Sequence, residues 1–246
     1  MKKLVAYITS GYPEKSFSID LALALSQNGV DTLELGVPFS DPVADGPLIE
    51  KANQRALELG FRFKDLIEIS KEVAPKVDTL WMGYFNSFYQ QEMQKLLPFA
   101  KEIGISGFII PDLPHEESIE YNDLFDTNAL SNISFVAPTD SKERIEQIVK
   151  DSKKFIYMVA YTGITGSGKA EDLQPTLSNI KKFTQTPIYV GFGVNQKTAK
   201  DKVKGADGVI VGSAFVEILL NESLSYKEKI TKCSSLANIL KNEINS

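Results

Sequence analysis

The sequence has little cysteine, little histidine and no excess of basic charge, and each scarcity excludes a class of protein. The single cysteine, Cys233, cannot form an internal disulfide, and with one histidine the chain offers no Cys/His cluster for zinc. Lys and Arg number 27 against 32 Asp and Glu, for a net charge of −5. Nucleic-acid affinity comes largely from neutralised phosphates. We therefore expect no bound metal and no nucleic-acid partner.

Long apolar runs are also missing. Runs such as 107–111 fall far short of the ~20 residues that a membrane helix needs. Met1 leads through two lysines into a short strand-like run, without the apolar region of a signal peptide. We therefore expect a cytoplasmic protein with no membrane contact. No linker or change of composition divides the 246 residues, so we predict a single domain over 1–246.

Short apolar runs, many of them rich in β-branched residues, predict eight strands that are buried on both faces. They lie at 4–9, 32–37, 79–83, 107–111, 133–137, 155–160, 188–191 and 208–212. Helical spacing separates them, from an apolar stripe over 19–26 to a closing helix over 226–245. Repeated strand–helix units are typical of a parallel sheet with right-handed crossovers.

Eight such units predict an α/β fold of the (β/α)8 TIM-barrel type, and the chain has the usual barrel length of about 250 residues. Two helical stretches, 48–59 and 64–74, lie between strands two and three and would be extra helices. A doubly wound sheet is the alternative. The lack of a Gly-rich dinucleotide-binding turn after strand one disfavours it.

Three consecutive predicted strands run into glycine at their carboxyl ends, the end of a barrel that carries its chemistry. The residues concerned are Gly163, Gly166 and Gly168 after strand six, Gly191 and Gly193 at strand seven, and Gly212 with Ser213 at strand eight. Glycines let backbone N–H groups approach anion oxygens, and a helix N-terminus adds partial positive charge. Each glycine alone fits an ordinary turn, but the three loops together favour phosphate binding.

Glu34 lies inside an apolar strand, near its carboxyl end. Alternation places it on one face with Thr32 and Gly36, while Leu33 and Leu35 face the helices, so Glu34 should point into the barrel mouth. Burial there should raise the pKa of Glu34, which suits a group that gives and takes protons near neutral pH. A structural carboxylate bonded to a lysine or to backbone amides is the alternative.

Asp45 follows in a turn-rich loop that Pro42 and Pro47 restrict. The loop could turn Asp45 back over the barrel mouth. Simple turn chemistry is the alternative for both Asp41 and Asp45, since Asp is common before Gly and Pro. By position alone, turn chemistry is the better explanation of Asp41, and for Asp45 the two explanations are equal.

The segment 34–47 closely resembles the signature of the tryptophan synthase alpha subunit, with ELGVPFSDP at 34–42 and ADGP at 44–47. Other segments agree in order along essentially the whole chain: TSGYP at 9–13, YFN at 84–86, PDLP at 111–114, GITG at 163–166, GFG at 191–193 and VGSA at 211–214. The motif after strand two is long and specific. The glycine motifs are shared by many phosphate-binding barrels.

The resemblance implies a lyase of tryptophan biosynthesis that cleaves indole-3-glycerol phosphate to indole and glyceraldehyde 3-phosphate. Glu34 matches the acid/base, which protonates the leaving ring carbon and helps to remove the hydroxyl proton. Asp45 matches the carboxylate that accepts the indole N–H, and Tyr157 matches a tyrosine near the reacting groups. Substrate-binding positions are matched by Tyr7, Tyr84, Ile109, Thr165 and Phe192, and phosphate-binding positions by Gly166, Gly193, Gly212 and Ser213.

The resemblance also implies a partner, a beta subunit that carries pyridoxal phosphate and receives indole through a tunnel, usually in an αββα tetramer. No cofactor is implied for this chain, and Asp41 and the loop after strand six would lie near the contact. Two features depart from the family. No helix precedes the first strand, and Tyr161-Thr162 replace the Arg or Val of many members.

Two other functions fit part of the sequence. Another phosphate-binding barrel, such as a phosphosugar isomerase or a prenyltransferase-like protein, would explain the glycines but not the segment from Glu34 to Asp45. A non-catalytic subunit could bind phosphate ligands and activate a partner, but it would not need a buried carboxylate on strand two. The carboxylates therefore favour the lyase.

Overall fold

The computed structural model describes residues 1–159 and 172–246, whose strands form one parallel sheet. The strands are β1 (Lys3–Thr9), β2 (Thr32–Gly36), β3 (Asp78–Met82), β4 (Gly107–Ile109), β5 (Ser131–Asn132), β6 (Ser134–Val136), β7 (Ile156–Val159), β8 (Ile188–Gly191) and β9 (Gly208–Val211). Their order is β5-β4-β3-β2-β1-β9-β8-β7-β6, and every pairing is parallel. The sheet is therefore continuous from β5 round to β6.

β5 and β6 are two halves of one short segment, and the barrel closes at this point. β5 pairs with β4, whereas β6 pairs with β7. Between them, the Ile133 amide donates to the Phe108 carbonyl at 2.9 Å. The two ends of the strand order thus belong to the same stretch of chain. The predicted TIM barrel is confirmed. The predicted fifth strand, 133–137, corresponds to β6, and the prediction missed β5, the part of the chain at 131–132 that bonds to β4.

Helices follow most strands and cover the outside of the barrel. They are α1 (Lys15–Gln27), α2 (Pro47–Glu58), α3 (Phe63–Val73), α4 (Phe85–Tyr89), α5 (Met93–Glu102), α6 (His115–Ser118), α7 (Asn122–Thr127), α8 (Lys142–Lys150), α9 (Gln174–Phe183), α10 (Ala199–Lys202), α11 (Ser213–Leu220) and α12 (Tyr226–Glu243), with a 3-10 turn at Ile119–Tyr121. The two extra helices after strand two are α2 and α3, and the closing helix is α12. Both predictions are confirmed.

The predicted stripe over 19–26 is only partly buried: Ala22 and Leu25 are buried, but Ile19, Leu23 and Ser26 are half-exposed. The fully buried apolar residues are Phe17, Leu21, Ala22 and Leu25. Apolar residues occur nearly all round this helix, so two stripes with four-residue spacing compete. Packing against β1, α3 and α12 selects the stripe that begins at Phe17.

Side-chain alternation divides the core into an inner and an outer layer. Val5, Leu80, Ile109 and Ile210 belong to an apolar cluster formed by inward-facing residues of the strands. Neighbouring strand residues such as Leu33 pack instead with the surrounding helices. This is the period-two pattern of strands that are buried on both faces.

The amino-terminal end of the barrel is covered by polar side chains and by α12. Asp78 accepts hydrogen bonds from Lys154 at 2.9 Å and from Thr32 at 2.8 Å. Lys241 of α12 forms an ion pair with Asp31. Paired charges and α12 thus lie at the end of the barrel opposite the predicted site.

Neither a membrane-spanning helix nor a metal-binding cluster occurs among the described residues. Within 1–159 and 172–246, no helix is long and apolar enough to cross a membrane. The same ranges contain no group of three or more His, Cys, Asp or Glu side chains that could hold a metal ion.

Candidate active site

A cavity of about 190 Å³ lies at the carboxyl ends of the barrel strands. Its lining comes from β1, β2, β3, β7 and β9, from the loops after β2 and β8, and from the starts of α2 and α11. The lining residues are Tyr7, Glu34, Ala44, Asp45, Gly46, Leu48, Ile49, Met82, Tyr157, Phe192, Gly193, Val194, Asn195, Ile210, Gly212, Ser213, Ala214 and Glu217. A larger hollow of about 800 Å³ lies at the opposite end of the barrel and contains none of the predicted site residues.

Glu34 is almost completely buried, with 2% of its surface exposed. Within the described part of the chain, its Oε1 atom has no hydrogen-bond partner and no ion pair involves it. Burial without a compensating cation raises the pKa of Glu34 from 4.5 to about 8. At neutral pH the side chain therefore holds its proton and can give it away.

Asp45 lies on the same cavity but in a more polar setting. Asn53 of α2 donates its side-chain N–H to Oδ2 of Asp45 at 3.0 Å. Burial raises the pKa of Asp45 to about 6, against the opposing effect of hydrogen bonds from Asn53 and Tyr84. Asp45 is therefore mostly ionised at neutral pH while Glu34 is protonated. Two carboxyl groups whose environments separate their pKa values can take different roles, one as a proton donor and the other as a fixed negative charge.

Tyr84 connects the loop that carries Asp45 to the end of β3. Its hydroxyl accepts a hydrogen bond from the Ala44 amide at 2.9 Å, and its ring stacks on Phe39 at 5.2 Å between centroids. The structure thus places Tyr84 behind Asp45 and not among the residues that line the cavity. Ile109 is fully buried in the inner core and also does not line it. Both were predicted to bind substrate.

Tyr7 and Tyr157 line the cavity together with Phe192. The ring of Tyr157 stacks on Phe135 at 4.9 Å and meets the edge of Phe192 at 6.1 Å. Burial, and after it the charges of Glu34 and Asp45, raise the pKa of the Tyr157 hydroxyl. Tyr157 therefore stays protonated beside the two carboxyl groups and can donate its proton in a hydrogen bond.

Two glycines make room for these tyrosines. A Cβ atom on Gly36 would lie 2.3 Å from the hydroxyl oxygen of Tyr7. A Cβ atom on Gly191 would lie 2.4 Å from the hydroxyl oxygen of Tyr157. Because these glycines lack a Cβ atom, the two tyrosine rings can lie across the neighbouring strands. The glycines at the strand ends therefore help to determine the shape of the cavity.

Gly191→Ala is expected to lower the free energy of unfolding by about 1–3 kcal/mol, the usual cost of an overpacked core. The added methyl group would collide with Tyr157, whose ring is held by Phe135. Urea unfolding measures the change. In a Tyr157→Ala background the same substitution should cost much less, because the colliding ring is gone. An equal cost in both backgrounds would show that the ring is not what the glycine accommodates.

The predicted phosphate residues Gly193, Gly212 and Ser213 lie together on one side of the cavity. Ser213 is the first residue of α11, so the helix N-terminus is directed at this region. Gly193 has φ +66° and follows Phe192 with φ +68°. Backbone amides and a helix terminus at one place form an anion-binding arrangement. Gly166 and Thr165 lie outside the described residues.

Several site residues were not predicted from the sequence. Asn53 is 1% exposed, and besides holding Asp45 it accepts a hydrogen bond from Tyr7 at 3.5 Å. Ile49 and Met82 contribute apolar lining, and Asn195 lines the phosphate side. The spacing of Ile49, Asn53 and Ala56 along one face of α2 is a signal that could have identified Asn53, because it places a polar residue on a buried stripe. Asp41, the predicted partner contact, is exposed.

Comparison with known proteins agrees with this geometry. The profile of the family described as tryptophan synthase alpha chain matches residues 1–245. The chain belongs to the tryptophan synthase alpha chain family. The alpha chain of Wolinella succinogenes is 53% identical over 247 residues, which cover 100% of this chain and 97% of that protein. The resemblance carried by residues 34–47 is thereby confirmed.

Solved structures of tryptophan synthase alpha chains share the fold. The alpha subunit from Campylobacter jejuni superposes with a TM-score of 0.86 at 34% identity, covering 96% of this chain and 95% of that one. A chain of tryptophan synthase from Mycobacterium tuberculosis gives a TM-score of 0.90 at 29% identity, covering 100% and 93%. The barrel fold of this chain is thus the fold of the tryptophan synthase alpha chain family.

Proposed function

We propose that the cavity around Glu34 and Asp45 carries out the lyase reaction of the alpha chain, the retro-aldol cleavage of indole-3-glycerol phosphate in tryptophan biosynthesis. The observation that carries the proposal is the pair of carboxyl groups in one cavity, one protonated and one ionised at neutral pH. An anion-binding corner lies on the same cavity, at Gly212 and Ser213. Acid, base and phosphate site are all within one barrel mouth.

Glu34 delivers the first proton in this mechanism. Its protonated carboxyl group gives a proton to the indole carbon that bears the side chain, and the ring becomes a cationic indolenine. Asp45 accepts a hydrogen bond from the ring N–H, and its negative charge stabilises the positive charge of that ring. The dry setting of Glu34 keeps its carboxyl group protonated at neutral pH. It also makes the carboxylate that remains after proton transfer a stronger base, because that carboxylate has little solvation.

Glu34 then acts as the base. The carboxylate takes the proton of the side-chain hydroxyl next to the bond to be broken. As the hydroxyl becomes the aldehyde of glyceraldehyde 3-phosphate, the carbon–carbon bond breaks and its electron pair returns to the ring as indole. Glu34 gives one proton and recovers one, so it ends the cycle as it began. Asp45 keeps its charge throughout.

The remaining predicted residues orient the substrate. Tyr7 and Phe192 offer aromatic faces beside the carboxylates, and Tyr157 offers a protonated hydroxyl. The ester phosphate would lie against Gly193, Gly212 and Ser213. Apolar and aromatic walls with a few convergent polar groups are the usual composition of a small-molecule site.

A beta subunit that carries pyridoxal phosphate is the proposed partner, in an αββα tetramer, and it would receive the indole. Large apolar side chains are exposed in the segments that follow β2, β3 and β4, at the end of the barrel that carries the cavity. Val43 is 83% exposed, Tyr89 60% and Ile119 51%. Asp41 lies in the same loop as Val43. Exposed apolar groups beside the mouth of a site suit a protein interface. A role in tryptophan biosynthesis also supports the expectation of a cytoplasmic protein.

The dependence of kcat/KM on pH is expected to be bell-shaped, with limbs near pH 6 and pH 8. Below about 6 Asp45 becomes protonated and loses its charge, and above about 8 Glu34 loses the proton that it must deliver. The phosphate of the substrate also titrates near ~6, so the basic limb is the decisive one. A flat rate between pH 7 and 9.5 would contradict the protonated role of Glu34.

The direct test is to add indole-3-glycerol phosphate to the purified chain, with and without a tryptophan synthase beta subunit, and to measure indole. Indole release that the beta subunit accelerates would support both the reaction and the partner. A different phosphate-binding barrel, or a non-catalytic subunit, would bind inorganic phosphate without releasing indole.

A further inference from the structure

The lining of the cavity contains no cation among the described residues. It includes three carboxyl side chains, those of Glu34, Asp45 and Glu217, but no lysine or arginine. A phosphate monoester brings up to two further negative charges into this place. Backbone amides and the N-terminus of α11 carry only partial charges. The charge balance calls for a cation close behind the lining.

We propose that Lys202 is a positioning residue of the phosphate site: its ammonium group holds the Phe192 carbonyl, so that the Gly193 amide faces the phosphate, and its charge offsets that of the bound ester. This inference rests on the proposed function, since it takes a phosphate ester as the ligand. Lys202 ends the short helix α10 and donates from Nζ to the Phe192 carbonyl oxygen at 3.2 Å, across ten residues of chain.

The geometry of a peptide unit explains how a residue behind the loop can orient a group inside the cavity. In a trans peptide, the C=O and the following N–H point in opposite directions. Phe192 and Gly193 line the cavity and Lys202 does not. Turning the Phe192 carbonyl toward Lys202 therefore turns the Gly193 N–H toward the cavity.

Thr198 holds the next peptide unit in the same way. Its hydroxyl donates to the Gly193 carbonyl at 2.9 Å and accepts from the Asn195 amide at 3.0 Å. The Val194 N–H is then directed opposite to Thr198. Two successive carbonyls are thus fixed by side chains from the same short stretch, 198–202. Successive amides that point to one side make a concave site for an anion.

The backbone of this loop needs such support. Phe192 has φ +68°, a left-handed conformation that is unfavourable for a residue other than glycine. Lys202 is also half-buried, and burial lowers the pKa of its ammonium group. Backbone strain of this kind is typical of functional sites, where surrounding contacts hold the conformation in place. The contact from Lys202 is one that holds the Phe192 backbone.

The test compares Lys202→Met with Lys200→Met, an exposed lysine on the same helix that serves as the control. Calorimetry with inorganic phosphate measures binding without turnover, and indole release measures kcat and KM. Loss of a charged hydrogen bond worth ~1.5 kcal/mol or more should weaken phosphate binding about tenfold. Lys202→Met should raise KM by a similar factor with a smaller effect on kcat, and Lys200→Met should change neither.

Two further variants separate positioning from a general effect on folding. Lys202→Arg keeps the charge and the donor and should recover most of the phosphate affinity. Thr198→Val removes the hydrogen bond to the Gly193 carbonyl without changing the charge, and it should also weaken phosphate binding. This variant tests the proposal even if Lys202→Met fails to fold. Phosphate affinity within twofold of wild type in folded Lys202→Met, or in Thr198→Val, would overturn the proposal. Absence of indole from the wild-type chain would instead contradict the proposed function, because phosphate binding is measured independently of it.

Discussion

Glu34→Gln is expected to lower the rate of indole release by about 10²–10⁴-fold, the range that general acid–base catalysis supplies. Glutamine keeps the size of the side chain but can neither deliver a proton to the ring carbon nor take one from the hydroxyl. Because the phosphate corner is formed by Gly193, Gly212 and Ser213, binding of inorganic phosphate should be unchanged. Indole release is followed by absorbance and phosphate binding by calorimetry.

Glu217→Gln is the matched control, since Glu217 is an exposed carboxylate at the rim of the same cavity. It should keep a kcat close to that of wild type, because Glu217 neither delivers nor takes a proton in the mechanism. Turnover near the wild-type rate by Glu34→Gln would remove Glu34 from the mechanism. Equal losses in both variants would point to a general electrostatic effect on the cavity.

The stability of Glu34→Gln gives a second readout. In the folded state burial raises the pKa of Glu34 from 4.5 to about 8, so between these values the folded chain binds more protons than the unfolded one. The contribution of Glu34 to the free energy of unfolding therefore falls as pH rises through this window. Glutamine carries no such proton. The variant should be more stable than wild type at pH 8 by a few kcal/mol, since one pKa unit corresponds to about 1.4 kcal/mol, and this difference should vanish near pH 4.

Asp45→Asn is expected to slow indole release by about 10²–10³-fold, the usual effect of removing one group that stabilises charge in the transition state. The amide oxygen can still accept the ring N–H, but it carries no charge to offset the cationic ring. The Asn53 contact can persist, because Asn53 donates to an oxygen at that position. The basic limb of the pH profile, which belongs to Glu34, should remain near pH 8.

Asp41→Asn provides the control for this substitution. It makes the same chemical change in the same loop, but at an exposed position. In the isolated chain it should leave indole release unchanged. If Asp41→Asn slowed the isolated chain as much as Asp45→Asn, the loop as a whole would be responsible and the charge of Asp45 would not.

The position of Glu34 could be predicted from the sequence because it depends on one local rule. Strand alternation alone places it opposite Leu33 and Leu35, and the barrel follows from the repeated strand–helix units. The phosphate corner could be predicted for a similar reason, since Gly193 and Gly212 mark strand ends in the sequence. These features need no knowledge of which elements pack together.

The orientation of Asp45 could not be predicted in this way. It depends on Asn53 from α2 and on Tyr84 from the end of β3, which meet the loop only in the folded chain. Lys202 was missed for the same reason: its contact with Phe192 is a tertiary hydrogen bond, and a lysine on a short helix usually faces solvent. The division of β5 from β6 also depends on which neighbour each half pairs with.

The proposed mechanism requires Glu34 to hold a proton at neutral pH, and a carboxyl carbon NMR titration measures this directly. Wild-type chain labelled with ¹³C at the glutamate δ-carbon is compared with Glu34→Gln, so that the Glu34 signal is identified by its absence from the variant. This signal should titrate near pH 8, the value to which burial raises the pKa. A signal that titrates near the ordinary value of 4.5 would leave the cavity without an acid at neutral pH and would contradict the mechanism.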